Sequence, residues 1–97
     1  MGILDIFRRK KTDDPETERR AVLLRTGRIT EGSIFDVLTD DAGTITQVFY
    51  NYEINGVQFE SSQTLDAPQR ARSADYFPGA RVTVRFNPRQ PGNSVVV

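Results

Sequence analysis

Two groups of cations and a few hydroxyls are the residues of this chain whose types could do chemistry. Arg8, Arg9, Lys10 and Lys11 follow directly on Ile3, Leu4, Ile6 and Phe7, so four positive charges stand behind four large apolar groups. That order suits contact with an anionic lipid surface or a protein partner, the apolar groups entering and the cations remaining at the boundary. Arg81 and Arg85 stand four apart in an alternating stretch, with Arg89 just beyond, and form a candidate basic face. Ser61 and Ser62 are nucleophiles by type alone. The chain contains no histidine and no cysteine. Their absence removes the usual general base, the thiolate nucleophile and the commonest metal ligands together. No glycine-rich phosphate loop precedes a helix, and Asp40-Asp41 lacks the spaced ligands and closing glutamate of a calcium loop. No catalytic, metal-ligating or cofactor-binding residue is therefore expected, and the chain reads as non-enzymatic.

The elements that must position these residues are mostly strands. Thr12 to Glu16 breaks the chain and opens a helix, with Asp14 as cap, Pro15 in the first turn and Glu16 and Glu18 at the positive end of the helix dipole. The helix runs to Gly27 and would turn Val22, Leu23 and Thr26 inward, although the apolar run Ala21 to Leu24 also suits a strand. Arg28 to Thr39 is the first strand, and its apolar parity changes around Gly32, which predicts a bulge or bend there. Asp40 to Gly43 is a turn. Thr44 to Ile54 alternates, placing Val48, Tyr50, Tyr52 and Ile54 on one face, and Asn55-Gly56 is the strongest hairpin signal in the chain. Val57, Phe59 and Ser61 begin the third strand. Pro68 to Phe77 predicts a short helix capped by Asp66. Arg81 to Phe86 alternates as the fourth strand and is stopped by Asn87-Pro88. Pro91-Gly92-Asn93 reads as a turn before a terminal strand, Ser94 to Val97.

Helix, three strands, short helix, two strands is the order expected of a small five-stranded barrel, mainly β, with either OB-like or SH3-like closure. At 97 residues the chain has room for one core. It divides into an amphipathic, basic segment at 1–12 and a single β-barrel domain with a leading helix at 13–97. Its thirteen basic and thirteen acidic residues balance, but they are segregated. Residues 29–66 carry seven acids and no lysine or arginine, while 67–97 is net positive. Sequence segregation of this kind would give the barrel a dipolar surface.

No stretch approaches the roughly 20 apolar residues of a membrane span, and Met1 to Lys11 lacks the order of a secretory signal. The expected address is cytoplasmic, with peripheral attachment to the inner face of the membrane through the first segment.

The hairpin residues Tyr52, Ile54, Asn55, Gly56 and Phe59 combine with a second set: Tyr76, Pro78, Gly79, Val82, Val84, Phe86, Asn87, Pro88, Pro91, Ser94 and Val95. Together they resemble an uncharacterised bacterial domain-of-unknown-function family over roughly residues 26–97. The resemblance implies a small β domain, often attached to transmembrane helices, with no assigned activity and no site residues to carry over.

The expected function is that of a non-catalytic interaction module. Its partners would be a protein or a second copy, the latter through the terminal edge Val95 to Val97, and an anionic membrane surface. The alternative is an OB-like nucleic-acid-binding domain, in which Arg81 and Arg85 would lie beside exposed aromatics. The acidic middle of the chain and the inward parity of Tyr50, Tyr52 and Phe59 weigh against nucleic acid.

Overall fold

The computed structural model describes residues 15–97, which form helix α1 (Pro15–Thr26), strands β1 (Arg28–Thr39), β2 (Ile45–Ile54) and β3 (Val57–Thr64), helix α2 (Ala67–Ala71), a 3-10 turn (Ser73–Tyr76), and strands β4 (Arg81–Asn87) and β5 (Gln90–Val96). The candidate residues Ile3 to Lys11 lie outside the described residues.

The five strands are antiparallel in the order β3-β2-β1-β4-β5, so the long β1 is central and pairs on both sides. The sheet curls until β3 approaches β5, giving a nearly closed barrel. Period-2 alternation fills it: Ile34, Val48, Tyr50, Tyr52, Val84, Phe86 and Val96 point inward and form one core with Ile45, Leu65, Tyr76 and Ala80. The three aromatics of the β2–β3 hairpin stack inside, with ring centroids 5.8 Å apart for Tyr50–Tyr52 and 5.5 Å for Tyr52–Phe59. Each buried phenol has a partner. Tyr50 Oη meets Ser94 Oγ at 2.7 Å, and Tyr52 Oη donates to the Pro91 carbonyl at 2.7 Å. Burial of an unpaired hydroxyl would otherwise cost free energy.

Asn55 and Gly56 both hold positive φ, 52° and 82°, as a type I′ turn demands. Gly32 serves a different need. A Cβ there would stand 2.8 Å from the Asn51 carbonyl oxygen and 2.8 Å from Val84 Cγ2, so the glycine lets β1 pass between β2 and β4. The bulge is not at Gly32 but three residues later, where pairing steps from Ile34–Tyr50 to Asp36–Phe49 and leaves Phe35 as the extra residue.

Three further expectations are corrected. The β4–β5 connection turns at Pro88-Arg89, because Asn87 pairs with Gln90, and Pro91 to Asn93 belong to β5. The helix expected from Pro68 to Phe77 is interrupted at Arg72, which ends α2 before the 3-10 turn begins. Asp66 does cap α2, in a reciprocal box with Gln69. In α1 only Leu23 is buried, while Val22 and Thr26 are exposed.

Arginine contacts, more than an apolar face, hold α1 to the barrel. Arg19 donates to Asn93 Oδ1 at 2.7 Å and to the Ser94 carbonyl at 2.8 Å, and Arg20 donates to the Thr64 carbonyl at 2.9 Å. Glu16 receives both guanidiniums, at 2.8 and 2.6 Å, and is held at a pKa of about 2 by Arg19 first and Arg20 second.

The terminal edge is not free. Gln63 of β3 donates from Nε2 to the Val96 carbonyl at 3.1 Å and accepts the Val96 N–H at 2.8 Å through Oε1. Gln69 Nε2 adds a donor to the same carbonyl at 3.0 Å. Val95 and Val96 are buried, and at the expected edge Val95 to Val97 the backbone groups of Val96 are engaged by the side chains of Gln63 and Gln69.

Candidate functional site

The outer face of β1, β2 and β3 follows from the register. Ser33 lies opposite Asn51 and Glu60, Asp36 opposite Phe49 and Ser62, and Leu38 opposite Gln47 and Thr64. Inward positions alternate with these, so the three rows form one outward surface. Phe35, which follows the inward Ile34 and so stands on the outer side, brings its ring to 6.4 Å from Phe49, tilted by 50°. Phe35 is 46% exposed and Leu38 51%. Phe49 is half-buried, so an exposed ring beside a half-buried one contrasts with Tyr50 and Tyr52, both of which are buried.

Four acids share this face, Asp36 opposite Phe49, Glu60 opposite Asn51, and Glu31 and Glu53 further along the strands, and all four are exposed. Asp40 and Asp41 follow in the β1–β2 turn. Asp40 uses its carboxylate locally, accepting the N–H groups of Ala42 and Thr44 at 3.0 and 2.9 Å, which is turn chemistry and leaves Asp41 as an exposed charge. Residues 29–66 contain no lysine or arginine, so within these three strands the only cation is Arg28 at the start of β1. Arg81, across the border on β4, reaches Glu31 Oε1 at 2.7 Å.

Arg81, Arg85 and Arg89 do not converge. Arg81 and Arg85 share the outward face of β4, but the first is turned to Glu31 and the second donates to the Gly27 carbonyl at 3.2 Å. Arg89 stands exposed in the β4–β5 turn, beside Asn87, whose Oδ1 accepts the Arg89 N–H at 2.8 Å. Ser61 is half-buried beneath β2 opposite Tyr50, and Ser62 is exposed opposite Phe49.

A cleft of about 450 Å³ opens between α1 and α2, with Leu24, Val95 and Val97 as its apolar part. Its polar walls are engaged: Arg20 with Glu16 and Thr64, Gln63 and Gln69 with Val96. No cluster of acidic, histidine or cysteine side chains able to hold a metal occurs among the described residues, and no helix among them is long and apolar enough to cross a membrane.

The aromatic pair escaped sequence reasoning because the parity of β1 reads ambiguously around Gly32; with Ile34 opposite Tyr50 and both inward, Phe35 and Phe49 follow on the outward side. The signal available was Phe35 beside Ile34, two large apolar residues in succession, of which a strand can bury one.

A family model described as Domain of unknown function (DUF3592) matches residues 25–97, from the last turn of α1 to the end of β5. No curated protein and no solved structure matches the chain.

Proposed function

The chain belongs to this family of unknown function, and from that premise we propose that it is a non-catalytic interaction module whose outer β1–β2–β3 face takes a cationic polypeptide segment with apolar anchors. The observation that carries the reading is the Phe35–Phe49 pair, the first ring exposed and the second half-buried, on a face that also carries Glu31, Asp36, Glu53 and Glu60. Aromatic anchors in an apolar centre supply affinity, and the surrounding charge selects and steers a partner of opposite sign.

The strand order β3-β2-β1-β4-β5, with a helix between β3 and β4, favours OB-like over SH3-like closure. Fold analogy alone would then suggest single-stranded nucleic acid on this face. The charge argues against it. Phosphates approaching Asp36, Glu53 and Glu60, none of which has an ion-pair partner among the described residues, would be repelled, whereas an arginine- or lysine-bearing peptide would gain from each of them. The first segment, Ile3 to Lys11, supplies a membrane contact in this reading only insofar as its apolar groups are free to enter lipid.

Fluorescence titration of the full chain tests this with three probes. These are a short peptide of arginine, lysine, leucine and phenylalanine, its counterpart with glutamate for every cation, and a single-stranded oligonucleotide. The cationic peptide binds, added salt weakens it, and Phe35→Ser with Phe49→Ser lowers its affinity by about tenfold or more. Binding of the oligonucleotide in preference to the peptide, or peptide binding indifferent to both phenylalanines, overturns the proposal.

A further inference from the structure

β1 is longer than its partner on one side. It pairs with β2 as far as Thr39 but with β4 only as far as Ser33. The turn at Pro78-Gly79 is the cause. Ala80 and Gly79 still bond to Ile34, at 2.9 and 2.7 Å, and the Phe77 carbonyl then takes the Ala80 N–H at 2.9 Å and carries the chain away. Asp36 to Thr39 therefore have a strand on their β2 side only.

The hydrogen bonds identify the backbone groups left over. The Leu38 carbonyl accepts Thr46 Oγ1 at 3.3 Å, and the Asp40 N–H donates to the Thr44 carbonyl at 2.9 Å, so Leu38 and Asp40 direct their backbone towards β2. Alternation turns the N–H and C=O of Val37 and Thr39 the opposite way, to the open edge. The Asp36 carboxylate accepts the Val37 N–H at 2.9 Å and stands over the edge as a charged guard. The other three groups have no backbone partner among the described residues.

Resting on the functional reading, we infer that the cationic segment binds as an added strand on this edge of β1, its backbone pairing with Val37 and Thr39. The alternation of the free groups calls for an extended polypeptide, since only a strand offers N–H and C=O at the same repeat. The charge calls for a cationic one. Asp36 and, in the following turn, Asp41 are exposed, and residues 29–66 contain no lysine or arginine. A second copy pairing through its own β1 would set these acids of both copies along one seam with no cation between them. An incoming arginine or lysine instead meets Asp36, draws the carboxylate off the Val37 N–H and releases that donor to the added strand. Outward apolar residues of the same strand then lie against Phe35 and Leu38, both exposed.

Hydrogen exchange, read by nuclear magnetic resonance on the full chain, tests this with the cationic peptide of arginine, lysine, leucine and phenylalanine. Saturating peptide is expected to slow exchange of the Val37 and Thr39 amides by about tenfold or more, while Leu38, already in the ladder with β2, changes little. Thr39→Pro removes one donor at an edge position where proline is tolerated, and weakens the peptide several-fold. Thr39→Val keeps the N–H and leaves the affinity unchanged. Should Thr39→Pro fail to fold, the exchange rates of the unaltered chain decide alone.

Peptide binding that requires Phe35 and Phe49 yet leaves exchange at Val37 and Thr39 unaltered overturns the added strand, and the functional reading stands. Protection of those two amides without peptide, growing with protein concentration, assigns the edge to a second copy and also overturns the inference. If the peptide does not bind, both fall.

Discussion

The side chain of Gln63 pairs with the backbone of Val96 as a neighbouring strand would, accepting its N–H at 2.8 Å and donating to its carbonyl at 3.1 Å. One primary amide thus replaces a rung of the missing β3–β5 ladder. Both groups are buried, and all the hydrogen-bonding atoms of the Gln63 amide that matter here are used within the barrel.

Gln63→Leu keeps the volume and removes the rung. The Val96 N–H is then left buried without a partner, which costs about 1–3 kcal/mol. Urea denaturation should show that loss, and hydrogen exchange should show the Val96 amide opening faster than its neighbours Val95 and Val84. An unchanged midpoint would mean that β5 finds another acceptor.

Gly32→Ala places a methyl against the Asn51 carbonyl and Val84, both within 2.8 Å. Neither can move without shifting a strand, so the substitution costs about 1–3 kcal/mol. Gly43→Ala provides the contrast. Its φ of 85° is strained for alanine, yet nothing lies within 4 Å, so its penalty is conformational and local.

Glu16 gives the domain an acid-sensitive contact. Its folded pKa, about 2, lies below the ordinary value of 4.5 because Arg19 and Arg20 hold its charged form. The contribution is therefore complete above pH 4.5 and is lost as pH falls towards 2. With its side chain 48% exposed, solvent screening keeps the contribution to about 0.5–1 kcal/mol. Glu16→Gln should remove that amount at neutral pH and flatten the stability curve between pH 5 and 2, as followed by thermal unfolding.

Phe35→Ser should change folding stability by no more than about 1 kcal/mol, since Phe35 is 46% exposed on the outer face, whereas Phe49 is half-buried and its loss costs more. A large loss of stability in the denaturant midpoint would instead assign Phe35 to the packing of the sheet. A small loss accompanied by weaker peptide binding assigns it to recognition.

The fold was readable wherever a signal was local. Asn55-Gly56 imposes positive φ by its own chemistry, and the alternation through Val48, Tyr50 and Tyr52 states its inward face without reference to any partner. Position was lost where two causes produce the same mark. Gly32 and a bulge both disturb strand parity, and here the glycine serves close approach while the bulge lies at Phe35. The proline at 91 resembled a turn, yet Tyr52 takes its carbonyl and keeps it in β5. Least readable were Gln63 and Arg19, whose partners lie 33 and 75 residues away. A glutamine on the inward parity of Phe59 and Ser61 was the one trace of the seam.

The central place of β1 also sets the order in which the barrel can assemble. Its pairing with β2, and that of β2 with β3, join residues close in sequence through two short turns. Its pairing with β4 joins Gly32 to Val82, fifty positions apart, and closing that distance has an entropic cost before any contact offsets it. The three-stranded meander is therefore the folding nucleus, and the β4–β5 hairpin docks afterwards across the rate-limiting step. Substitutions in β2 and β3 should slow folding, whereas those in β5 should mainly speed unfolding. The Gln63 rung, last to form, is where the barrel first comes apart.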